Sequence, residues 1–205
     1  MVTAGEFHAA DGVEDWRSLY HLVSAYFRTG SLAQGVALVE GIGRVVGDAE
    51  EQLRVDLRAD GVTVSLGRRD VEVARRISGV AAELGVVSDP SRVQVVNLMV
   101  DVLVSDAVVP FWRAVLGYGQ IGDDYLFDPM RRWPGVGVQQ MEVAREGRNR
   151  VHVDVAVPHD LAEQRVAAAL SAGGRLVSDA HAPKWWVLAD AEGNEVCVAS
   201  WVERE

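Results

Sequence analysis

The sequence predicts an α+β fold made of two consecutive modules, and three observations indicate it. Apolar residues recur at helical spacing in some segments and alternate as in strands in others. In the second half of the chain, a strand, a helix and further strands follow one another twice. A linker over 86–91, which contains the pair Asp89-Pro90 and follows a helix stop at Gly85, separates the halves. We therefore expect domains at 1–87 and 92–205.

The first module is predicted to begin with an aromatic strand over 20–27, which follows Trp16 and Arg17. Ser31 can accept a hydrogen bond from the first turn of a helix and is the predicted N-cap. The apolar positions of that helix follow helical spacing and predict its buried face. They are Leu32, Val36, Val39, Ile42 and Val46.

Alternating residues then predict two strands, at 55–57 and 62–66, joined by the turn 59–61. Asp70 is predicted to cap a second helix, which stops at Gly85 because glycine favours the left-handed conformation after a helix. Its predicted apolar face contains Val73, Ile77, Val80, Ala81 and Leu84.

The second module shows an internal repeat, in which each half is predicted as strand, helix and further strands. In the first half these elements are a strand at 93–104, a helix at 107–116 and strands at 125–127 and 136–143. In the second half they are a strand at 150–157, a helix at 161–172 and strands at 175–178, 185–189 and 195–201. Two such units can pair their sheets into a cup, with helices outside and a ligand inside.

Strand alternation predicts which side chains would line the cup, because neighbouring residues on a strand face opposite ways. The polar and sulfur-bearing faces of four strands converge, and they carry Asn97, Met99, Gln139, Met141, His152, Asp154 and Cys197. Trp133 on a connection and the pair Trp185-Trp186 complete the predicted ligand-binding set, although only one of the paired indoles can face the cavity. Indoles stack well on flat aromatic ligands.

Composition excludes several classes of function. Thirty acidic residues against twenty basic ones give a net charge of −10, which repels phosphate backbones and anionic lipids. We therefore expect neither a nucleic-acid partner nor a membrane partner. No apolar run approaches the roughly 18 residues of a membrane helix, and the N-terminus lacks the features of an export signal. With a single cysteine as well, we expect a cytoplasmic protein.

Three stretches of the second module carry a family resemblance: FWRAVLGY at 111–118, NRVHVDV at 149–155 and DAEGNEV at 190–196. They resemble the motifs of the glyoxalase/bleomycin-resistance superfamily, also called vicinal oxygen chelate proteins, in the right order over 93–205. The resemblance implies a paired βαβββ domain.

Metal-dependent members of that superfamily hold a divalent ion with about four side chains, usually histidine and glutamate. The resemblance places Asn97, Gln139, His152 and Cys197 at the matching positions, and only His152 is a strong ligand as it stands. We therefore predict no metal and no other cofactor.

The first module resembles a pterin-4a-carbinolamine dehydratase domain, an α/β sandwich, through the segments 27–31, 55–57, 62–64 and 70–74. The resemblance implies a catalytic pair of histidines followed by proline, but Glu51, Gln52 and Leu53 stand at those three positions, and the loop that carries a further histidine is shortened to 67–69. Imidazoles can take and give protons near neutral pH, so their loss predicts a packing and dimerisation module without catalysis.

These observations predict a homodimer that binds a small aromatic natural product or antibiotic in the C-terminal cup, without metal or catalysis, as self-resistance proteins do by sequestration. Two enzymatic alternatives stay open. One is a metal-dependent lyase or dioxygenase of the glyoxalase type, and the other is a 4a-hydroxytetrahydrobiopterin dehydratase. A partner-binding role for the dehydratase-like module also stays open.

Overall fold

The computed structural model describes residues 2–67, 69–106, 109, 118–143, 151–171, 174–189 and 195–202, with only the backbone at 151–153. The chain divides into two compact units. Unit 1 comprises Met1–Gln94, Val157–Leu161 and Ser200–Glu205, and unit 2 comprises Val95–Ala156 and Ala162–Ala199. No helix among the described residues is long and apolar enough to span a bilayer.

Unit 1 is an antiparallel sheet with helices packed against it. Its elements are α1 (Ala4–His8), β1 (Arg17–Leu19), β2 (Leu22–Arg28), α2 (Leu32–Val45), β3 (Leu53–Arg58), β4 (Gly61–Leu66), α3 (Val71–Glu83) and β5 (Val87–Ser88). The strand order is β1-β2-β4-β3, and β5 pairs with β2. A core that includes Trp16, Phe27 and Ile42 fills the space between sheet and helices.

Both predicted helix starts of unit 1 are confirmed. The Ser31 hydroxyl accepts from the Gln34 N–H at 3.2 Å, and the Asp70 carboxylate accepts from the Val73 N–H at 3.0 Å. Gly85 ends α3 with a φ of +64°. The predicted aromatic strand over 20–27 is confirmed from Leu22 onward, as β2, whereas its first two residues lie in a turn. Tyr20 takes a left-handed φ of 56°, which reverses the chain between β1 and β2.

The predicted buried face of α2 is partly wrong. Leu32 and Val36 are 54% and 41% exposed, whereas the buried positions are Gly35, Leu38, Gly41 and Ile42. The two glycines explain the difference, because a Cβ on Gly35 would overlap Leu57 and one on Gly41 would overlap Val80. The helix therefore packs through a face that combines the two glycines with Leu38 and Ile42, and it turns Leu32 and Val36 outward.

The predicted linker at 86–91 forms part of the sheet of unit 1. Val87 and Ser88 pair with Arg28 and Phe27 of β2. The Arg28 guanidinium contacts the Asp89 carboxylate at 2.6 Å, and Asp89 also caps the short 3-10 turn Pro90–Arg92. These contacts tie the segment to unit 1.

Unit 2 contains one eight-stranded sheet of order β11-β12-β13-β10-β6-β9-β8-β7. Its elements are β6 (Val95–Val102), β7 (Gly119–Ile121), β8 (Tyr125–Phe127), β9 (Gly135–Gln140), β10 (Val151–Ala156), α4 (Ala162–Ser171), β11 (Arg175–Ser178), β12 (Trp185–Ala189) and β13 (Glu195–Ala199). These positions confirm the predicted strands and the second predicted helix, while β7 was not predicted. The predicted helix at 107–116 lies outside the described residues, apart from Val109.

The register of the sheet reproduces the internal repeat. The first strand of each half pairs in parallel with the last strand of that half, β6 with β9 and β10 with β13. The halves join through the antiparallel pair β6 and β10, in which Asn97 lies opposite Asp154. This junction places residues from both halves side by side at the centre of the sheet.

Candidate functional site

A row of polar side chains crosses the centre of the unit 2 sheet. Cys197 pairs with Asp154, and Asp154 pairs with Asn97 on the other side. Residues directly opposite on adjacent strands share one face of the sheet. Cys197, Asp154 and Asn97 therefore form a continuous line of thiol, carboxylate and amide groups, which we call the polar row; its face of the sheet is the polar face.

Tyr125 extends the polar row by one strand. Its hydroxyl donates to Asn97 Oδ1 at 3.2 Å. Gly135 lies between them, and a Cβ there would overlap the Tyr125 ring and come within 2.9 Å of Asn97 Oδ1. Glycine at position 135 therefore lets a phenol reach across β9 to the amide.

The two faces of the sheet carry different kinds of side chain. On the polar face, Asn97 is 4% exposed and Asp101 is also buried, whereas Met99, Tyr125, Asp154 and Cys197 are half-buried. The opposite face is apolar, and these residues on it are buried: Val100, Val102, Leu126, Val136, Val138, Trp186, Leu188 and Val198. Four further residues of that face are half-buried: Val96, Leu98, Val155 and Val196. The faces therefore differ in chemistry rather than in exposure.

The paired tryptophans lie on opposite faces. Trp186 pairs with Val198 on the closed face and is 9% exposed. Trp185 is half-buried on the polar face, which it shares with Cys197, and it stacks on His181 with ring centroids 4.3 Å apart. An indole therefore stands near one end of the polar row, whereas Trp186 lies away from it.

The remaining predicted site residues are spread more widely. Met99 lies over Gly137, where a Cβ would overlap its sulfur. Met141 is half-buried beyond the end of β9, and Trp133 is 66% exposed on the β8–β9 connection. The backbone of His152 pairs with that of Met99, and its side chain lies outside the described residues.

Gln139 is separated from the polar row by the register. It is exposed and pairs with Asp101, whereas Asn97 pairs with Gly135, four residues earlier on the same strand. Four residues of strand span about 13 Å, which is too far for Asn97 and Gln139 to share an ion.

The described side chains at the four matched positions do not form a shared ligand set for a divalent metal. Besides the separation of Asn97 from Gln139, the Asn97 oxygen already accepts the Tyr125 hydroxyl. Within the described part of the chain, no three His, Cys, Asp or Glu side chains cluster in a way that could hold an ion. Amide, thiol and phenol groups instead offer directed hydrogen bonds to an organic molecule.

Unit 1 contains a cavity of about 390 Å³ at the ends of α2 and β4 and the start of α3. Gln52, one of the positions matched to the dehydratase histidine pair, contributes to its wall, and Glu51 is exposed. The residues that line the cavity are Val46, Gly47, Asp48, Ala49, Gln52, Leu66, Asp70, Val73 and Arg76. This lining contains carboxylates and a guanidinium but no imidazole.

Unit 1 also contains a cluster of imidazole and indole side chains whose residues are far apart in sequence. His8 stacks on Trp201 with centroids 5.3 Å apart, and the indole N–H donates to His159 Nδ1 at 2.9 Å. His8 Nε2 accepts the Ser18 N–H at 3.1 Å. Burial, followed by the neighbouring His159 and Arg17, lowers the pKa of His8 to about 4; Arg69 acts in the same direction, and Asp160 opposes it.

Sequence reasoning missed Tyr125 and this histidine cluster. Tyr125 could have been found by alternation, because Leu126 beside it is fully buried in the core and must face the other way. The cluster left no local signal, since His8 is 151 residues from His159, and His159 is 42 residues from Trp201.

Comparison with known proteins gives one family. Residues 97–199 match the model of a family described as a glyoxalase-like domain. No curated protein matches the chain.

Two solved structures resemble about half of the chain. A structure described as an NAD-dependent benzaldehyde dehydrogenase from Legionella pneumophila is 8% identical, with a TM-score of 0.40 over 51% of this chain and 97% of that one. A glyoxalase/bleomycin resistance protein/dioxygenase superfamily member from Vibrio splendidus 12B01 is 16% identical, with a TM-score of 0.35 over 53% of this chain and 99% of that one.

Proposed function

We infer that this chain, which belongs to the glyoxalase-like domain family through residues 97–199, binds a small aromatic molecule on the polar face of unit 2 without a metal ion. One observation carries the proposal. The polar row and the half-buried Trp185 share one face of the sheet, where they place hydrogen-bonding groups beside an aromatic ring.

The side chains on the polar face are better suited to binding an organic molecule than to catalysing its conversion. Trp185 offers a flat ring for stacking, worth about 0.5–1.5 kcal/mol beyond the area it buries. Asn97 and Tyr125, together with Asp154, supply acceptors and donors that orient a ligand. Tight binding alone can sequester an antibiotic or another aromatic natural product, and it requires no transition-state stabilisation. A self-resistance role follows from that chemistry.

Tryptophan fluorescence tests this proposal directly. Titration with a panel of aromatic compounds should give saturable quenching with at least one of them, and Trp185→Phe should remove that response. Trp186→Phe is the matched control, because Trp186 lies on the opposite face of the sheet and is 9% exposed. Tyr125→Phe should weaken binding about three- to tenfold, since Asn97 loses a hydrogen-bond donor. Absence of saturable quenching, or a response unchanged in Trp185→Phe, would contradict the proposal.

Metal analysis separates this function from a metal-dependent lyase or dioxygenase. We expect no stoichiometric transition metal in the purified protein and ligand affinity that is insensitive to EDTA, because the donor set around Asn97 does not fit an ion. A divalent metal at one equivalent per chain, lost in His152→Ala, would contradict metal-free binding and favour the enzymatic alternative.

For unit 1, we propose a dehydratase-like module that has lost catalysis. The cavity that Gln52 helps to line supports the proposal that this module derives from one with a binding pocket. The residues that line the cavity include no imidazole, which proton transfer would need. We expect no turnover of a pterin carbinolamine. Turnover that disappears in Glu51→Ala would show that the carboxylate has taken over this role.

A further inference from the structure

The two edges of the unit 2 sheet differ in how they are protected. An edge strand exposes backbone groups that can pair with another chain, and natural proteins often block such edges with a β-bulge. At one edge, β11 carries a register shift between Leu176 and Ser178. At the other edge, β7 pairs regularly with β8, and Gln120 and Ile121 are exposed. Within the described residues, the β7 edge is therefore the one without a bulge, and its strand is short, with three residues that could pair.

A rigid loop stands beside the β7 edge. Asp128 is buried, and its carboxylate accepts the backbone N–H groups of Met130, Arg132 and Trp133 at 3.0, 2.8 and 3.2 Å. Burial opposes ionisation of Asp128, but these three donors hold its pKa below the usual range. The loop thus has a fixed conformation, in which Met130 and Trp133 are both 66% exposed.

The loop lies at the start of β7. The Tyr118 hydroxyl, on the residue just before this strand, donates to the Pro134 carbonyl at 3.0 Å. The Arg131 guanidinium stacks 3.8 Å above the Phe127 ring, and that ring covers Gly119, the first residue of β7. Arg132 lies 3.7 Å from the Asp128 carboxylate, so these two residues and Arg131 leave one net positive charge at this end of the strand.

The other end of β7 is acidic. Ile121 leads directly into a turn in which Asp123 and Asp124 are exposed. A short strand thus separates a loop with two arginines from a turn with two aspartates. In an antiparallel pair related by a two-fold axis, the start of each strand meets the end of the other. Two copies of this edge are consequently complementary in charge.

We propose that the β7 edge is a self-association surface, in which a second copy of the chain pairs its β7 antiparallel to this one. The arginine loop of each copy then lies against the Asp123-Asp124 turn of the other, and Ile121, Met130 and Trp133 become covered. A two-fold contact needs a self-complementary patch, and this edge has one. The proposal concerns assembly and stands whether or not unit 2 binds an aromatic ligand.

Charge reversal tests this pairing, with analytical ultracentrifugation of the full chain as the measurement. The wild-type chain should be dimeric. The variants Arg131→Glu/Arg132→Glu and Asp123→Lys/Asp124→Lys should each raise the dimer dissociation constant by about tenfold or more, because like charges then meet twice across the axis. An equimolar mixture of the two variants should recover a heterodimer, since every contact in it is again complementary. Arg175→Glu, which changes an exposed arginine at the opposite edge, is the matched control and should stay dimeric.

Circular dichroism and thermal unfolding of each variant establish that it is folded. Recovery of the heterodimer supports the proposal and also excludes misfolding as the cause of dissociation. The proposal is overturned by a monomeric wild type, by both reversed variants remaining dimeric, or by reversed variants that dissociate and do not recover on mixing.

Discussion

In unit 1, the hydrogen bonds that His8 and His159 accept require both imidazoles to be neutral. His8 accepts the Ser18 N–H through Nε2, and His159 accepts the Trp201 indole N–H through Nδ1, so both imidazoles use a lone pair that a proton would occupy. Their ring centroids are 5.1 Å apart. Burial lowers the pKa of both residues; Arg17 acts in the same direction on each, while Asp160 opposes it. The cluster is therefore built for neutral histidines.

This arrangement predicts acid destabilisation. The pKa of His8 is about 4 in the folded chain, against an ordinary value of 6.5, so the unfolded state binds more protons between these values. The stabilisation is complete above pH 6.5 and is lost as the pH falls toward 4. One pKa unit corresponds to about 1.4 kcal/mol, and partial solvent contact screens the effect, so we expect a loss of about 1–2 kcal/mol.

Urea unfolding at a series of pH values measures this loss. His8→Gln should flatten the decline below pH 6.5, whereas His21→Gln, at an exposed histidine, should keep it. A decline of equal steepness in His8→Gln would show that other groups cause it.

At the scale of residues, the sequence predicted the candidate site wherever strand alternation alone determines the face of the sheet on which a side chain lies. Asn97, Asp154 and Cys197 were placed on one face from the sequence, and the structure puts them in one row. Alternation could not show that Gln139 lies about 13 Å from Asn97, because that distance depends on the register between strands.

At the scale of elements, helix starts and stops follow from local chemistry, but the packed face of a helix does not. Ser31 and Asp70 cap their helices because their side chains reach backbone N–H groups two or three residues on. The buried face of α2 instead depends on what the neighbouring elements present. Val80 of α3 needs the space that Gly41 leaves, and apolar spacing carries no information about that partner.

A pair of glycine substitutions in α2 tests this packing. Gly41→Ala should destabilise the chain by about 1 kcal/mol, because overlap with Val80 outweighs the gain in helix propensity. Gly43→Ala, where a Cβ would meet nothing within 4 Å, should stabilise it by about 0.5–1 kcal/mol. Thermal unfolding of both variants measures the difference. Equal stabilisation by the two changes would mean that α2 does not depend on close contact at Gly41.

At the scale of the whole molecule, unit 1 is completed by residues from two distant parts of the chain. Val157–Leu161 and the residues from Ser200 onward group with the first 94 residues. His159 and Trp201 enclose His8, and the Arg17 guanidinium binds Asp160 through two hydrogen bonds of 3.2 and 3.0 Å. The stability of unit 1 should therefore depend on the end of the chain.

Replacement of Trp201 tests that dependence. Trp201→Ala removes the ring stacked on His8 and the donor to His159, which should cost about 1–3 kcal/mol of unit 1 stability. Hydrogen exchange should accelerate at the Ser18 amide, because His8 loses its support. Trp133→Ala, at an exposed position of unit 2, is the control and should leave that amide protected. Unchanged exchange in Trp201→Ala would indicate that His8 is held by α1 alone.

The sequence by itself determined the secondary structure of most elements, the repeat in unit 2 and the residues that share each strand face. These properties depend on neighbours within a few positions, where backbone geometry and side-chain period are fixed. Only the tertiary structure decided that Tyr125 reaches Asn97, that Trp185 and not Trp186 lies on the polar face, and that His8, His159 and Trp201 meet. Such contacts depend on the register and packing of segments far apart in the chain, which local periodicity does not encode.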